Sequence, residues 1–211
     1  MKPIKIYILI VLLPIISFSQ PAVDVPVKDP GNLIAQIAYF SRNTTSITAG
    51  FIQVKEMSFM EETVTSSGRF YFQKDDKVRW EYTEPFSYAI IVSGDRIRII
   101  DEGKQKDFDA GSGRMFREVS RVMTGMVDGT LLTDGRFAVS WLEAPDYYRA
   151  ELVPVSGAMK DYLSGIGLKL NKTDHSVDEL KMVEKSGDYT IITFNNKKFN
   201  ATIPPEVFGL D

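Results

Sequence analysis

The chain has no cysteine and a single histidine. Without cysteine it forms no disulfide, performs no thiol chemistry and has no site for the lipid anchor that bacterial lipoproteins carry on a cysteine. His175 lies in the polar stretch "NKTDHSVDE", where a structural role is favoured over that of a catalytic base. One histidine and no cysteine are too few for the usual zinc ligand sets. The sequence therefore predicts no metal site and no cofactor.

Two adjacent acidic pairs, Glu61/Glu62 and Asp75/Asp76, are the remaining candidates for acid–base chemistry. A glycoside hydrolase needs two carboxylates that converge across a cleft. Both pairs fall in predicted turns, and neighbouring residues of a strand point to opposite faces. A hydrolase stays open as an alternative, but the sequence predicts that the protein is not an enzyme.

The chain has little excess charge of either sign. It contains 25 basic and 28 acidic residues, a net charge of −3, and the two signs are interspersed. A nucleic-acid-binding protein would instead show a basic stripe. We therefore expect no nucleic-acid partner, and the 211 residues suit a single domain preceded by a short leader.

The only long apolar run is at the N-terminus, in "MKPIKIYILIVLLPIISFSQ". Two lysines precede the run Ile6–Ile16, and small residues follow at Ser17 and Ser19. This order predicts a signal peptide over residues 1–19. A membrane anchor is the alternative, but the run is shorter than the roughly 20 residues that span a bilayer.

The mature chain is predicted to begin with an extended, proline-rich tether over residues 20–31. Helical spacing of apolar residues follows, with Asn32 as the expected N-cap. The remaining residues, 32–211, form the predicted single domain. A second amphipathic helix is predicted in "GRMFREVSRVMTGMVDG", and its apolar face is rich in methionine.

Short runs of β-branched and aromatic residues, separated by Gly, Asp and Pro, dominate the rest of the chain. They predict about ten or eleven antiparallel strands with two or three helices, and an extended C-terminal segment along one edge. A sheet of this size curls. The predicted fold class is mainly β (α+β), a curled antiparallel sheet or incomplete barrel.

Aromatic residues cluster in the hairpin "GRFYFQKDDKVRWEYTEP". Strand alternation places Phe70 and Phe72 on one face with Tyr71 on the other, and Trp80 shares a face with Tyr82. These rings are either ordinary core or the lining of an apolar site.

The order of several motifs resembles the outer-membrane lipoprotein carrier family, the LolA-like periplasmic chaperones. The matching elements are Phe51-Ile52-Gln53, Gly68-Arg69-Phe70, the segment from Arg79 to Pro85 and the turn Ser93-Gly94-Asp95. The later runs "ELVPVSGAMKDYLSGIGLKL" and "YTIITFNNKKFNATIPPEVF" continue the resemblance. It covers nearly all of the mature chain.

The resemblance implies an incomplete, curled antiparallel β-barrel closed by two or three helices around an apolar cavity, in a periplasmic protein whose cavity shields the acyl chains of lipoproteins. We expect a monomer, the default for a carrier that passes between two membranes. Such a carrier receives its cargo from an inner-membrane exporter and delivers it to an outer-membrane receptor. A carrier or sensor for another apolar ligand, such as a glycolipid, a pigment or a polyketide-derived lipid, is the alternative. The residues expected to line the cavity are Phe51, Phe70, Phe72, Trp80, Tyr82, Met123 and Met126.

Lys74 departs from the family pattern. Proteobacterial carriers have a Lys-Arg-Pro stretch where this chain has Gln73-Lys74-Asp75. The arginine there helps to hold a helical lid closed over the cavity. The resemblance implies that Lys74 is the lid latch. A lysine lacks the forked geometry of arginine, so we expect its bonds to differ.

Overall fold

The computed structural model describes residues 24–58, 62–74, 76–94, 96–109, 125, 129–156 and 159–209. Twelve strands form one antiparallel sheet: β1 (Val25–Pro26), β2 (Ser46–Met57), β3 (Glu62–Gln73), β4 (Lys77–Glu84), β5 (Tyr88–Ser93), β6 (Arg96–Asp101), β7 (Lys104–Asp109), β8 (Phe137–Glu143), β9 (Tyr147–Pro154), β10 (Leu163–Asn171), β11 (Val177–Glu184) and β12 (Tyr189–Phe199). The helices whose full extent lies within the described residues are α1 (Pro30–Asn43), α2 (Met159–Tyr162) and two 3₁₀ helices, Thr130–Thr133 and Pro205–Phe208.

The strands are ordered β1-β8-β9-β10-β11-β12-β2-β3-β4-β5-β6-β7. Every step but two joins strands that are consecutive in the chain. Pairing of β12 with β2 brings the last strand beside the first long one, with Phe194 opposite Phe51 and Ile192 opposite Gln53. Within the part of the chain that the structure describes, the edge strands β1 and β7 do not pair, so the sheet is not closed into a barrel. This confirms the predicted curled, incomplete β-barrel closed by helices.

The sheet has twelve strands, more than the ten or eleven that the sequence predicts. The two unforeseen strands are β1, which lies within the predicted tether, and β7, whose sequence KQKDFD is mostly charged and exposed. Both lie at edges of the sheet, where their residues are mostly exposed. They therefore lack the alternation of apolar and polar residues on which strand prediction depends. Charged residues at such an edge oppose pairing with another chain.

Helix α1 begins earlier than predicted. Asp29, not Asn32, is the N-cap, and its Oδ1 accepts a 3.0 Å hydrogen bond from the Asn32 backbone N–H. Pro30 suits the first turn because its nitrogen has no hydrogen to leave unpaired there. Leu33 and Ile37 are buried on the face toward the sheet. Among the described residues, none of the helices combines the length and apolar character needed to cross a membrane.

Two separate apolar clusters lie on the two faces of the sheet. The larger one fills the concave face beneath α1. The smaller one is formed by Ile91, Ile203 and Phe208 on the outer face. The C-terminal segment was expected along an edge of the sheet, but it crosses the interior strands β4 and β5 instead. Arg79 and Arg98 hold it there by donating hydrogen bonds to the carbonyls of Val207 and Gly209.

Candidate functional site

Aromatic rings from strands β2, β3 and β4 meet on the concave face. The ring of Trp80 lies 4.8 Å from that of Phe51 and 5.3 Å from that of Phe70, and Tyr82 lies 5.2 Å from Phe51, all measured between centroids. The rings of Phe70 and Trp80 also contact Phe194 from β12. Period-two alternation on neighbouring strands, in matched register, produces this cluster.

Four of the predicted cavity residues are deeply buried. The exposed fraction is 1% for Phe51, 4% for Phe70 and 5% for both Phe72 and Trp80. Tyr82 is half-buried on the same face, whereas Tyr71 packs against the small outer cluster. The alternation deduced from the sequence therefore places these rings on the concave side.

Tyr82 is the polar end of the aromatic cluster. Its hydroxyl donates a 2.9 Å hydrogen bond to Oε1 of Gln53, and burial raises the pKa of the phenol. Its ring also packs near those of Phe86 and Tyr88, with centroids 6.0 and 6.2 Å away. Phe86 is about half exposed, so this group of rings continues the apolar surface to the rim of the sheet.

An apolar cavity of about 50 Å³ lies between α1 and the concave face. Its apolar lining comes from the helix, from the 3₁₀ helix Thr130–Thr133 and from strands on both sides of the β12–β2 junction. The lining apolar residues are Ile37, Phe40, Ile47, Ala49, Phe70, Leu132, Leu168, Leu170, Val177, Phe194 and Phe199. Of the predicted cavity residues that the structure describes, Phe70 is the one in this lining, while Phe51, Phe72, Trp80 and Tyr82 pack beside it in the same cluster.

The cavity is too small for a lipid chain in this closed form, because ligand pockets typically enclose roughly 300–1,000 Å³. Helix α1 covers it, with Ile37 buried and the ring of Phe40 in edge-to-face contact with Phe199 at 5.2 Å. Entry of a long apolar molecule therefore requires displacement of the helix or of another part of the wall.

The C-terminal end of α1 is held to the sheet by two side chains. Nζ of Lys74 donates a hydrogen bond to the carbonyl of Arg42 in the last helical turn. Nδ2 of Asn200 donates to the carbonyl of Asn43 at 3.2 Å, and its Oδ1 accepts from the Thr45 backbone N–H at 2.7 Å. Both donors meet carbonyls that a helix end leaves unpaired. Sequence reasoning singled out Lys74 but missed Asn200.

Replacing Lys74 by methionine is expected to loosen the end of α1. The bond is exposed, so we expect amide exchange in the last helical turn to accelerate by roughly two- to fivefold, with little change in global stability. Hydrogen exchange measured by mass spectrometry checks this. Lys77→Met, on strand β4 of the same hairpin, is the matched control, and equal exchange in both variants would contradict a latch at Lys74.

One end of the cavity is polar. His175, Ser176 and Lys197 complete its lining, and Nε2 of His175 lies 2.8 Å from Oε1 of Gln36 on α1. This end adjoins a groove of about 570 Å³ that His175, Phe40 and Phe199 share with the cavity. An amphiphile with its chain in the cavity would thus place its polar part at this end.

The methionines predicted to contact cargo, Met123 and Met126, lie outside the described residues. Within the described ranges, no group of three or more His, Cys, Asp and Glu residues is placed to hold a metal ion. Sequence reasoning missed most of the cavity wall, because Leu168, Leu170 and Phe199 belong to strands that are distant in sequence from the aromatic hairpin.

The family model and the related proteins that this chain matches carry the same description. The family model described as "Outer membrane lipoprotein carrier protein LolA" matches residues 42–211. The outer-membrane lipoprotein carrier protein of Methylococcus capsulatus is 24% identical over 177 residues, which cover 82% of this chain and 81% of that protein. The protein of the same name from Chromobacterium violaceum is 22% identical over 201 residues, covering 94% and 92% of the two chains.

A solved structure has a similar fold. It is an uncharacterised conserved protein from Thermus thermophilus, with a TM-score of 0.50 and 10% sequence identity. The match covers 83% of this chain and 90% of that one.

Proposed function

Since the chain belongs to the family of the outer membrane lipoprotein carrier protein LolA, we propose that it carries lipoproteins by enclosing their acyl chains between α1 and the concave face of the sheet. The supporting observation is the cavity beneath α1, whose wall is apolar except at one end. Each methylene group moved from water into such a site contributes about 0.8 kcal/mol. The favourable free energy of binding therefore grows with the length of chain that is enclosed.

The closed cavity supports a carrier that returns to a compact state when it is empty. Burial of Leu33 and Ile37 against the sheet stabilises the helix in that state. Cargo must replace these contacts with its own chains, so the affinity is the difference between two apolar burials. A carrier needs such a balance, because it must both accept and release its cargo.

The route of transfer forms part of the proposal. The protein is exported by a cleaved signal peptide over residues 1–19 and acts in the periplasm as a monomer. It receives acylated lipoproteins from an inner-membrane exporter and passes them to an acceptor at the outer membrane. The names of the two curated relatives support lipoprotein as the cargo.

The test is native mass spectrometry of the protein purified from the periplasm of its own organism, followed by denaturation and identification of whatever is released. Triacylated lipoprotein is the expected cargo. Release of a free lipid or pigment instead would support a carrier but contradict lipoprotein as its cargo. Retention of no apolar molecule under any growth condition would contradict the proposed function.

A further inference from the structure

A β-bulge in strand β12 turns a lysine toward the cavity. Asn195 lies opposite Gly50 and Lys198 lies opposite Thr48, so Asn196 and Lys197 together face the single residue Ala49. Asn196 has a φ of 50°, a left-handed conformation that asparagine tolerates better than most residues. A bulge of this kind shifts the alternation by one residue.

The shift decides which side chains reach the cavity. Before the bulge, Phe194 lines the cavity; after it, Lys197 and Phe199 do. With unbroken alternation, Asn196 and Lys198 would share the face of Phe194 and the lysine at 197 would point outward. The bulge therefore adds an ammonium group to an otherwise apolar wall.

Lys197 is the one charged residue among the described residues that line the cavity, and its side chain is only 14% exposed. Its Nζ donates to Oγ of Ser176 at 2.5 Å and to the carbonyl of Val177 at 3.3 Å, and it forms an ion pair with Asp178. The bond to Val177 is the longest of the three, so it is the one that a competing acceptor replaces most easily.

The charges around Lys197 indicate what kind of acceptor fits. Because Asp178 already neutralises the ammonium, a second anion would leave excess negative charge beside an apolar cavity, where charge is poorly solvated. A neutral oxygen acceptor adds no charge. The carbonyl that joins an acyl chain to its head group, as an ester or an amide, has this chemistry.

We propose that Lys197 donates a hydrogen bond to an acyl carbonyl oxygen of the cargo at the polar end of the cavity, with the chain beneath α1 and the head group in the adjoining groove. This inference rests on the proposed function, because it requires that an acyl chain enters this cavity. It makes the protein selective for acylated lipids over equally apolar molecules that lack a carbonyl group.

The test compares two probes that differ by one carbonyl: 1-monopalmitoylglycerol and its ether analogue 1-O-hexadecylglycerol. We expect the wild-type protein to bind the ester roughly tenfold more tightly, the factor typical of one hydrogen bond from a charged donor. Lys197→Met should bind both probes equally. Lys198→Met, on the adjacent exposed residue of the same strand, should retain the preference of the wild-type protein.

Loss of Lys197 alone leaves Asp178 without its partner, so the double variant Lys197→Met/Asp178→Asn is measured alongside, with a thermal melt for each protein. It should also bind both probes equally. Equal affinity of the wild-type protein for ester and ether would overturn the inference. A preference for the ester that persists in both Lys197→Met and the double variant would also overturn it.

A synthetic triacylated lipopeptide distinguishes failure of the inference from failure of the proposed function. Binding of the lipopeptide with no ester preference would overturn only the role of Lys197. An ester preference without lipopeptide binding would keep that role and contradict lipoprotein as cargo. If the wild-type protein bound none of the three probes, the proposed function would fail and the inference with it.

Discussion

Cross-linking α1 to the sheet is expected to abolish binding of acyl chains. Gln36 and His175 are suitable positions for a pair of introduced cysteines, because their side chains lie 2.8 Å apart. The chain has no cysteine of its own that would compete for the cross-linker. A cavity of about 50 Å³ is too small for a chain, and we expect α1 to be the part of its wall that moves to enlarge it. Denying burial to even four methylene groups removes about 3 kcal/mol, roughly a hundredfold in affinity.

The experiment uses the double variant Gln36→Cys/His175→Cys joined by a short, cleavable bismaleimide. Binding of 1-monopalmitoylglycerol is measured before cross-linking, after it and after cleavage, and it should return in the last state. The same variant treated with a monofunctional maleimide is the control, because the reagent occupies the polar end of the cavity but does not join α1 to the sheet. Unchanged affinity in the cross-linked protein would show that chains enter without moving α1.

Replacing Gly68 by alanine is expected to destabilise the whole sheet, with a loss of about 3 kcal/mol or more in the free energy of unfolding. A Cβ atom at this position would lie 1.9 Å from the backbone oxygen of Glu81 and 2.8 Å from Cζ of Phe51. The ring of Phe51 is 1% exposed and occupies the space above the glycine, so neither neighbour can move away freely.

Gly165→Ala is the matched control, because it makes the same change within a strand where the nearest atom to the new Cβ is the Leu152 oxygen at 3.6 Å. That variant should remain within about 1 kcal/mol of the wild-type protein. Urea unfolding of both variants measures the difference. Similar stability of the two would mean that the close packing of Phe51 over Gly68 contributes little.

The aromatic face could be predicted because alternation is a local property. Phe70, Phe72 and Trp80 lie within two adjacent strands of one hairpin, and a period of two fixes their shared side whatever the rest of the chain does. The family resemblance likewise pointed to Lys74 by its position after β3. Its actual partner, the carbonyl of Arg42, depends on where α1 ends, which sequence patterns define poorly.

The other wall of the cavity could not be predicted in the same way. It depends on the pairing of β12 with β2, which joins residues more than a hundred positions apart in the chain. Within β12, the bulge at Asn196 breaks the alternation, so counting by twos from Phe194 places Lys197 and Phe199 on the wrong face. No residue in "TFNNKKF" marks the shift beyond two asparagines that tolerate a left-handed backbone.

The small cluster of Ile91, Ile203 and Phe208 shares no buried residue with the cluster beneath α1. We therefore expect a displacement of α1 on the concave face to disturb the outer face of β4 and β5 little. The C-terminal segment provides a fixed reference point for distance spectroscopy. Spin labels at exposed Glu206 and at Tyr39, which is 67% exposed on α1, would report the displacement of the helix directly in ångströms.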